Sequence, residues 1–292
     1  MNYTSIYLTS GGTNGYVLIG ALQVLERSNL LSNIKTVIGC SIGSVFSLFF
    51  ILGYKSKDIF KILSSHNVED IYFNRPINND NLILNLTAEL GINDGTGLIR
   101  ILQIFLEQKG LSLNTTFKQL YEKTNKELII LASNIIDNKL EILSHIKHPN
   151  MSVSLAIKAS SAIPLVFTPV NYNNKILVDG GFLSDTNCES IKEDTLILRL
   201  KSEQYYDVEN VIDNIYDYVK LLFQNLLLLT QVYNDNINNT IEFNLKNTGI
   251  NFDLTKDTKN DLYYYGISLT IDFIIKRKLK LKYFNKFRNL KI

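Results

Sequence analysis

The chain has no tryptophan and only two cysteines in 292 residues, Cys40 and Cys188. Two thiols so far apart form neither a disulfide framework nor the clustered spacing of a metal site, and they suit a reducing compartment. Long hydrophobic runs are missing too. None approaches the ~20 residues that cross a bilayer; the longest, Val45 to Leu52 and Leu221 to Leu229, have the length of core helices. Charge of either sign is not in excess: 30 Lys and Arg oppose 28 Asp and Glu, for a net charge of +2. That balance projects no field for a polyanion, so nucleic acid is not an expected partner. Met1 to Leu8 carries no basic n-region and no long apolar core, so it does not read as a signal peptide, and a cytoplasmic protein is expected. What remains, 46% hydrophobic and 20% charged, is the composition of a folded globular chain. No linker, internal repeat or low-complexity tract divides it.

The pattern along the chain is strand, turn, helix, repeated. Ile6-Tyr7-Leu8 reads as a buried strand, Ser10 to Gly15 as a glycine-rich turn, and Tyr16 to Asn29 as an amphipathic helix. Thr36-Val37-Ile38, the following turn and Gly43 to Gly53 do the same. Such succession predicts an α/β fold with a mostly parallel central sheet flanked by helices, and with active residues at the carboxyl ends of its strands. Residues 56 to 120 read as mostly helical, with an Asn-rich insertion at Arg75 to Asn81 and a glycine-rich break at Gly91 to Gly97, where a substrate wall could arise. Glu127 to Ile135 and Lys139 to Ser144 read as a hairpin turning at Asp137-Asn138. Ser152 to Ser161 is a helix ended by Pro164, Lys175 to Val178 a short strand, and Thr195 to Leu200 the expected last strand. Beyond Glu203 the pattern is helical, through an apolar Tyr218 to Tyr233, and ends in a basic tail from Lys276 to Lys291.

Gly39-Cys40-Ser41-Ile42-Gly43 lies between a β-branched run and an apolar helix, the context of a nucleophile elbow. A sharp strand-to-helix turn strains its corner residue, and glycines two before and two after it let the backbones pass closely. Ser41 is then presented at a helix N-terminus, where free N–H groups favour the negative charge of acyl transfer. Cys40, beside the corner rather than at it, reads as a packing residue. The second element, Asp179-Gly180-Gly181, is a rigid turn whose carboxylate can approach a serine hydroxyl directly. The third, Ser10 to Gly15, allows consecutive amides of Gly11, Gly12 and Thr13 to converge on one oxygen, while Gly15 lets the next helix pack tightly.

In this order and context the three elements resemble the patatin-like phospholipase family. Phe117 to Tyr121 with Leu128 to Asn134, Ala159 to Pro164 with Phe167 to Val170, and Tyr265-Gly266-Ile267 opening a late helix are similar to further stretches of that family. The resemblance covers Tyr3 to about Ile275. It implies a three-layer fold, a catalytic domain over residues 3–200, and a helical extension over 201–292 packed on the same domain. It further implies that Ser41 is a nucleophile and Asp179 its base, with an oxyanion hole at Gly11, Gly12 and Thr13 and motif glycines at Gly15, Gly39, Gly43, Gly180 and Gly181. The implied activity is hydrolysis of fatty-acyl esters of phospholipid or lysophospholipid through an acyl-enzyme, with no metal and no cofactor. Two places depart from the family pattern. Ser10 and Asn14 replace a glycine and a basic residue in the first turn, and Leu183 to Asn187 stands where an Asn-Pro pair is usual.

Other readings of the same residues are plainer. Ser41 alone could cap a helix, Asp179 alone could serve a turn, and the first glycine loop could cradle a phosphate, although no Gly-Lys-Ser/Thr ending follows it. His66, His145 and His148 all precede Asp179, which is not the order of a Ser-Asp-His triad. The basic tail reads either as a solvated helix or as a segment that adsorbs to anionic lipid. A neutral-lipid hydrolase, an acyltransferase and a non-catalytic lipid-binding protein are the alternative functions, and no oligomeric state is implied.

Overall fold

The computed structural model describes residues 3–67, 86–183, 188–202, 218, 221, 239–246, 249 and 252–288, with side chains as far as residue 278. The Asn-rich stretch at Arg75 to Asn81, the departure at Ser184 to Asn187, most of Tyr218 to Tyr233 and most of the basic tail's side chains lie outside these residues. In chain order the elements are β1 (Ser5–Leu8), a 3-10 turn (Gly12–Gly15), α1 (Tyr16–Arg27), β2 (Thr36–Cys40), α2 (Ile42–Ile51), α3 (Ser56–Ser64) and β3 (Gly91–Asn93). Next come α4 (Thr96–Glu107), α5 (Phe117–Thr124), β4 (Glu127–Asn134), β5 (Lys139–Ser144), α6 (Val153–Ser160), β6 (Leu165–Phe167) and β7 (Val170–Tyr172). The described chain continues with β8 (Lys175–Asp179), a second 3-10 turn (Gly180–Leu183), β9 (Thr195–Ser202), β10 (Thr240–Leu245) and α7 (Lys256–Arg288).

Among the described residues, eight strands make one sheet in the order β10-β9-β1-β2-β4-β8-β7, with β5 also paired to β4. The run from β10 to β4 is parallel, as the strand-turn-helix succession predicts. The other three strands join antiparallel. Period-two alternation divides each central strand between two cores. Ile6, Leu8, Val37, Leu128, Ile130, Leu196 and Leu198 face the main helical layer. Tyr7, Ile38, Ile129, Leu131 and Ile197 face a smaller cluster with Cys40 and Cys188 on the other side. Both thiols are buried and neither forms a disulfide.

β4 uses both of its edges, and this arrangement positions the site. On one edge Ile129–Asn134 pairs with β5. On the other, Glu127–Leu131 pairs with β2 and Ala132–Asn134 with β8. β2 runs parallel to β4 and β8 antiparallel to it, so their carboxyl ends meet head-on, Cys40 opposite Leu131 and Asp179 opposite Ala132.

Two expectations are corrected. The last described strand is β10, not Thr195 to Leu200. Ile241, Phe243 and Leu245 are buried while Thr240, Glu242 and Asn244 are not, the half-buried alternation of an edge strand. The sheet therefore runs on past residue 200, which falls inside β9. Gly266 lies well inside α7, not at its opening. That glycine is there for contact: a Cβ on it would lie 2.1 Å from the Val17 carbonyl oxygen, and one on Gly20 would lie 2.0 Å from that of Tyr263. Two smooth backbones let α7 lie directly on α1, which explains why α1 is buried on most of its surface and not on one stripe alone. Gly266→Val should force this crossing apart and cost about 1–3 kcal/mol. Chemical denaturation measures it, and an unchanged midpoint would show that the crossing does not bear on stability.

Candidate active site

Ser41 is the corner between β2 and α2, with φ 53° and ψ −126°. A non-glycine residue in that conformation is strained and needs its surroundings to hold it. They do so at both backbone polar groups. The Ser41 carbonyl accepts from the Ser44 N–H at 2.8 Å and from the Ser44 hydroxyl at 2.5 Å. The Ser41 N–H donates to Ser160 Oγ at 2.8 Å, and that hydroxyl donates onward to the Leu131 carbonyl at 2.6 Å. The glycines of the elbow leave room for close backbone contacts. A Cβ on Gly39 would lie 2.5 Å from Ser44 Cα, and one on Gly43 would lie 2.1 Å from the Leu8 carbonyl oxygen. Gly15 packs against Ile42 and Phe46, where no side chain would fit.

The head-on meeting of β2 and β8 brings Ser41 and Asp179 together. Ser41 Oγ donates to Asp179 Oδ2 at 2.5 Å, and both residues are about 5% exposed. The carboxylate's other oxygen, Oδ1, accepts the Gly181 N–H at 2.8 Å, and the Asp179 N–H donates to the Ala162 carbonyl at 2.8 Å. One oxygen thus anchors the carboxylate and the other meets the hydroxyl. Gly180 lies against the Leu131 carbonyl and Cys40 Sγ, and so completes the join between the strand ends.

The first glycine loop is next to this pair. Gly43, at the start of α2, touches the backbone of Leu8 and Thr9, and Ser10 Oγ lies beside Gly181. Of the three amides expected to converge there, Thr13's is turned elsewhere. It donates to the Gly249 carbonyl at 2.8 Å, and the Thr13 hydroxyl donates to the same oxygen at 3.1 Å. The Gly11 and Gly12 amides donate to no group among the described residues. The Ile42 N–H, at the first turn of α2, stands beside Ser41 as a third available donor. An apolar cavity of about 30 Å³ opens from these groups and is lined by Gly12, Ile42, Phe46, Phe49, Leu98 and Ile101.

The histidines lie apart from the Ser41–Asp179 pair. His66 bonds to the Ile62 carbonyl at the end of α3, and His145 stacks on Tyr121 with Glu127 3.7 Å away. His148 packs near Tyr172, with burial holding its pKa below the usual value against the opposing charge of Glu141. No cluster of three or more His, Cys, Asp or Glu that could hold a metal occurs among the described residues. No described helix is long and apolar enough to cross a membrane. Sequence reasoning missed Ser160, which supports the elbow, and Gly249, which braces the loop. Ser160 sits in a recognisable stretch, but its bond to Ser41 spans 119 residues and leaves no local trace.

A family model described as patatin-like phospholipase matches residues 6–191, more than half of the chain. The chain is 32% identical over 180 residues to a protein named "Probable lipid hydrolase 463L" from Invertebrate iridescent virus 6, covering 61% of this chain and 60% of that one. It is 27% identical over 182 residues to the uncharacterized protein R571 of Acanthamoeba polyphaga mimivirus, covering 61% and 57%. The matches thus span about six tenths of these relatives' own length. Among solved structures, VipD from Legionella pneumophila superposes with a TM-score of 0.59 at 17% identity, over 94% of this chain and 67% of that one. ExoU from the type III secretion system of Pseudomonas aeruginosa, solved in complex with SpcU, gives 0.51 at 17% identity over 94% and 52%. At such identities the likeness is one of fold: a mixed α/β structure with a central sheet flanked by helices.

Ser160→Ala removes the acceptor of the Ser41 N–H and the donor to the Leu131 carbonyl, and leaves two buried backbone groups unpaired. A loss of about 2 kcal/mol or more is expected, measured by denaturant unfolding. Stability equal to that of the parent would mean that the elbow is held without this bond.

Proposed function

The chain belongs to the patatin-like phospholipase family, and from that premise we propose that it is a lipid acyl hydrolase acting through a Ser41–Asp179 dyad. The hydrogen bond from Ser41 Oγ to Asp179 Oδ2 carries the reading. An ester binds with its acyl chain toward the apolar cavity and its carbonyl oxygen at the Gly11, Gly12 and Ile42 amides. Ser41 Oγ attacks the carbonyl carbon as its proton passes to Asp179 Oδ2. The tetrahedral oxyanion is held by backbone N–H groups and the positive end of α2; one such donor is worth roughly 3 kcal/mol. The C–O bond to the leaving alcohol breaks, the proton moves from Asp179 to that alcohol, and the acyl group stays on Ser41. Water then repeats the sequence and frees the fatty acid.

Burial suits the carboxylate to this role. With Oδ1 occupied by the Gly181 N–H, Oδ2 is the oxygen left to accept a proton. Asn14, where the family has a basic residue, is buried at 1% exposure with its amide facing Gly249. The loop is therefore braced by neutral contacts, and the substrate's polar end must be met elsewhere.

Contact with the lipid surface is part of the reading. Tyr264, Ile271 and Ile275 are exposed on α7. Their spacing of seven and four places them on one face, which exposed Lys278 continues. Apolar side chains with basic charge on one helix face favour an anionic bilayer surface. Arg277 takes no part, since its guanidinium bonds to Asn239 and lies over the Tyr3 and Phe273 rings. Replacing Ile271 and Ile275 with Glu should abolish co-sedimentation with phosphatidylserine vesicles, and undiminished sedimentation would remove α7 as the contact.

The deciding experiment is labelling with a fluorophosphonate probe, mapped by peptide mass spectrometry. Modification confined to Ser41 is expected, together with release of fatty acid from phospholipid. Ser41→Ala should lose both, and Asp179→Asn should lower turnover by about 10²–10⁴-fold. Turnover that survives Ser41→Ala in pure protein would sink the dyad.

A further inference from the structure

A second pocket shares the Leu98 side chain with the apolar cavity. It is lined by Gly95, Leu98, Lys158, Ser161, Ala162, Phe167 and Thr168. It also adjoins the dyad through the backbone. Ala162 is the residue whose carbonyl accepts the Asp179 N–H, and Ser160, at the end of α6, holds the Ser41 N–H.

Its polar groups are unspent. The ammonium of Lys158, partly buried on α6, forms no ion pair or hydrogen bond among the described residues. Ser161 is 9% exposed, and its buried hydroxyl meets no hydrogen-bond partner. A buried hydroxyl without a partner costs stability unless something else fills the site. Thr168 offers a second hydroxyl, engaged only at 3.4 Å with the Asn93 carbonyl. The lysine stem runs past Gly95, where a Cβ would lie 3.6 Å from Lys158 Cε. Gly95 precedes the twelve-residue α4, so the positive end of that helix faces the same space. Its leading amides are already met, Gly95 N–H by Asn93 Oδ1 and Thr96 N–H by Asp94 Oδ1, so α4 adds field and not donors. Asp94 also accepts the Thr96 hydroxyl, and Lys158 makes no ion pair with it.

We infer that this pocket is a subsite for the phosphate of a phospholipid, with the Lys158 ammonium as its charge and the Ser161 hydroxyl as its directional donor. An ammonium is a compact point charge well matched to a phosphodiester anion, and a hydroxyl can turn its proton to the oxygen presented. The inference rests on the lipid reading above and deepens it. With the acyl chain in the apolar cavity and the scissile ester at Ser41, the polar end of the substrate crosses Leu98 into this pocket. The pocket thereby supplies the cation that the first glycine loop lacks at Asn14.

The test measures binding, so that it stands apart from catalysis. The full chain carrying Ser41→Ala is titrated calorimetrically with dihexanoylphosphatidylcholine below its micellar concentration, with dihexanoylglycerol and with inorganic phosphate. Adding Lys158→Met, which keeps the apolar stem, should weaken the phospholipid by about tenfold or more and leave the diacylglycerol within about twofold. Ser161→Ala removes a hydroxyl that no bond in the fold uses, so it should fold normally and weaken the phospholipid alone; it carries the test if Lys158→Met does not fold. Lys57→Met, on an exposed position of α3, controls for loss of charge at large and should change nothing. Unchanged phospholipid affinity in both pocket variants, parallel loss for both lipids, or no phospholipid binding by the parent overturns the subsite. Phosphate binding that Lys158→Met abolishes while phospholipid binding persists would assign the pocket to free phosphate and overturn the headgroup reading. Turnover by protein with Ser41 intact is scored separately. Its absence alongside charge-selective binding removes hydrolysis and leaves the subsite standing.

Discussion

The backbone ladder along one edge of β4 carries both halves of the proposed dyad, β2 pairing with its first five residues and β8 with its last three. Because β2 runs with β4 and β8 against it, the two strands end toward each other. Residues 138 apart in sequence thus come within one hydrogen bond. Had β8 joined in the parallel sense, Asp179 would lie at the far end of the ladder. The position of the carboxylate is therefore a consequence of strand direction, and the antiparallel segment set into an otherwise parallel sheet has a purpose at the site. Sheet hydrogen bonds are also stiff, so the pair is held at fixed separation, which is the condition that the proposed mechanism sets for catalysis by prior positioning.

The strain at Ser41 belongs to the same scheme. A residue in its conformation costs on the order of 1–3 kcal/mol, and the surroundings offset it by bonding both of its backbone polar groups. Ser44 holds the carbonyl from within α2, and Ser160 holds the N–H from α6. Ser160 reaches back to Leu131, the last residue of β4 paired with β2. The elbow, the helix preceding the Asp179 hairpin and the central strand thus close one ring of hydrogen bonds. Within that ring the hydroxyl of Ser41 is the group left to face the carboxylate.

The parts of this arrangement that were legible in the sequence have local causes. The β-branched and aliphatic runs of β1, β2 and β4 carry their own period, and glycines at 39 and 43 and at 180 and 181 mark turns whose clearance no other residue supplies. The parts that were not legible depend on distant partners. β10 does alternate, but a six-residue strand amid Asn-rich polar sequence gives a weak signal that only β9 converts into an edge. Gly266 reads as the opening of a helix until Val17 is seen against it. Ser161 and Lys158 look like ordinary residues of a capped helix, since nothing local reveals that one hydroxyl and one ammonium are left without partners.

The loop at Gly11 to Thr13 shows most directly how far the site depends on sequence outside residues 6–191, over which the family model matches. Gly249 has φ +73°, and a Cβ there would lie 2.0 Å from the Gly11 carbonyl oxygen, while one on Gly12 would lie 2.1 Å from Gly249's own. The two backbones can meet only because neither carries a side chain, and their contact takes the Thr13 N–H and hydroxyl out of the site. In the proposed mechanism, stabilisation of an oxyanion then falls on the Gly11 and Gly12 amides and the first amide of α2. Since the same C-terminal region adds β10 to the sheet edge and lays α7 on α1, it is joined to the remainder at the sheet, in the helical layer and at the loop. A displacement of any of these contacts would move the amides relative to Ser41. The loop's shape is therefore set by the whole fold rather than by the glycine motif that marks it.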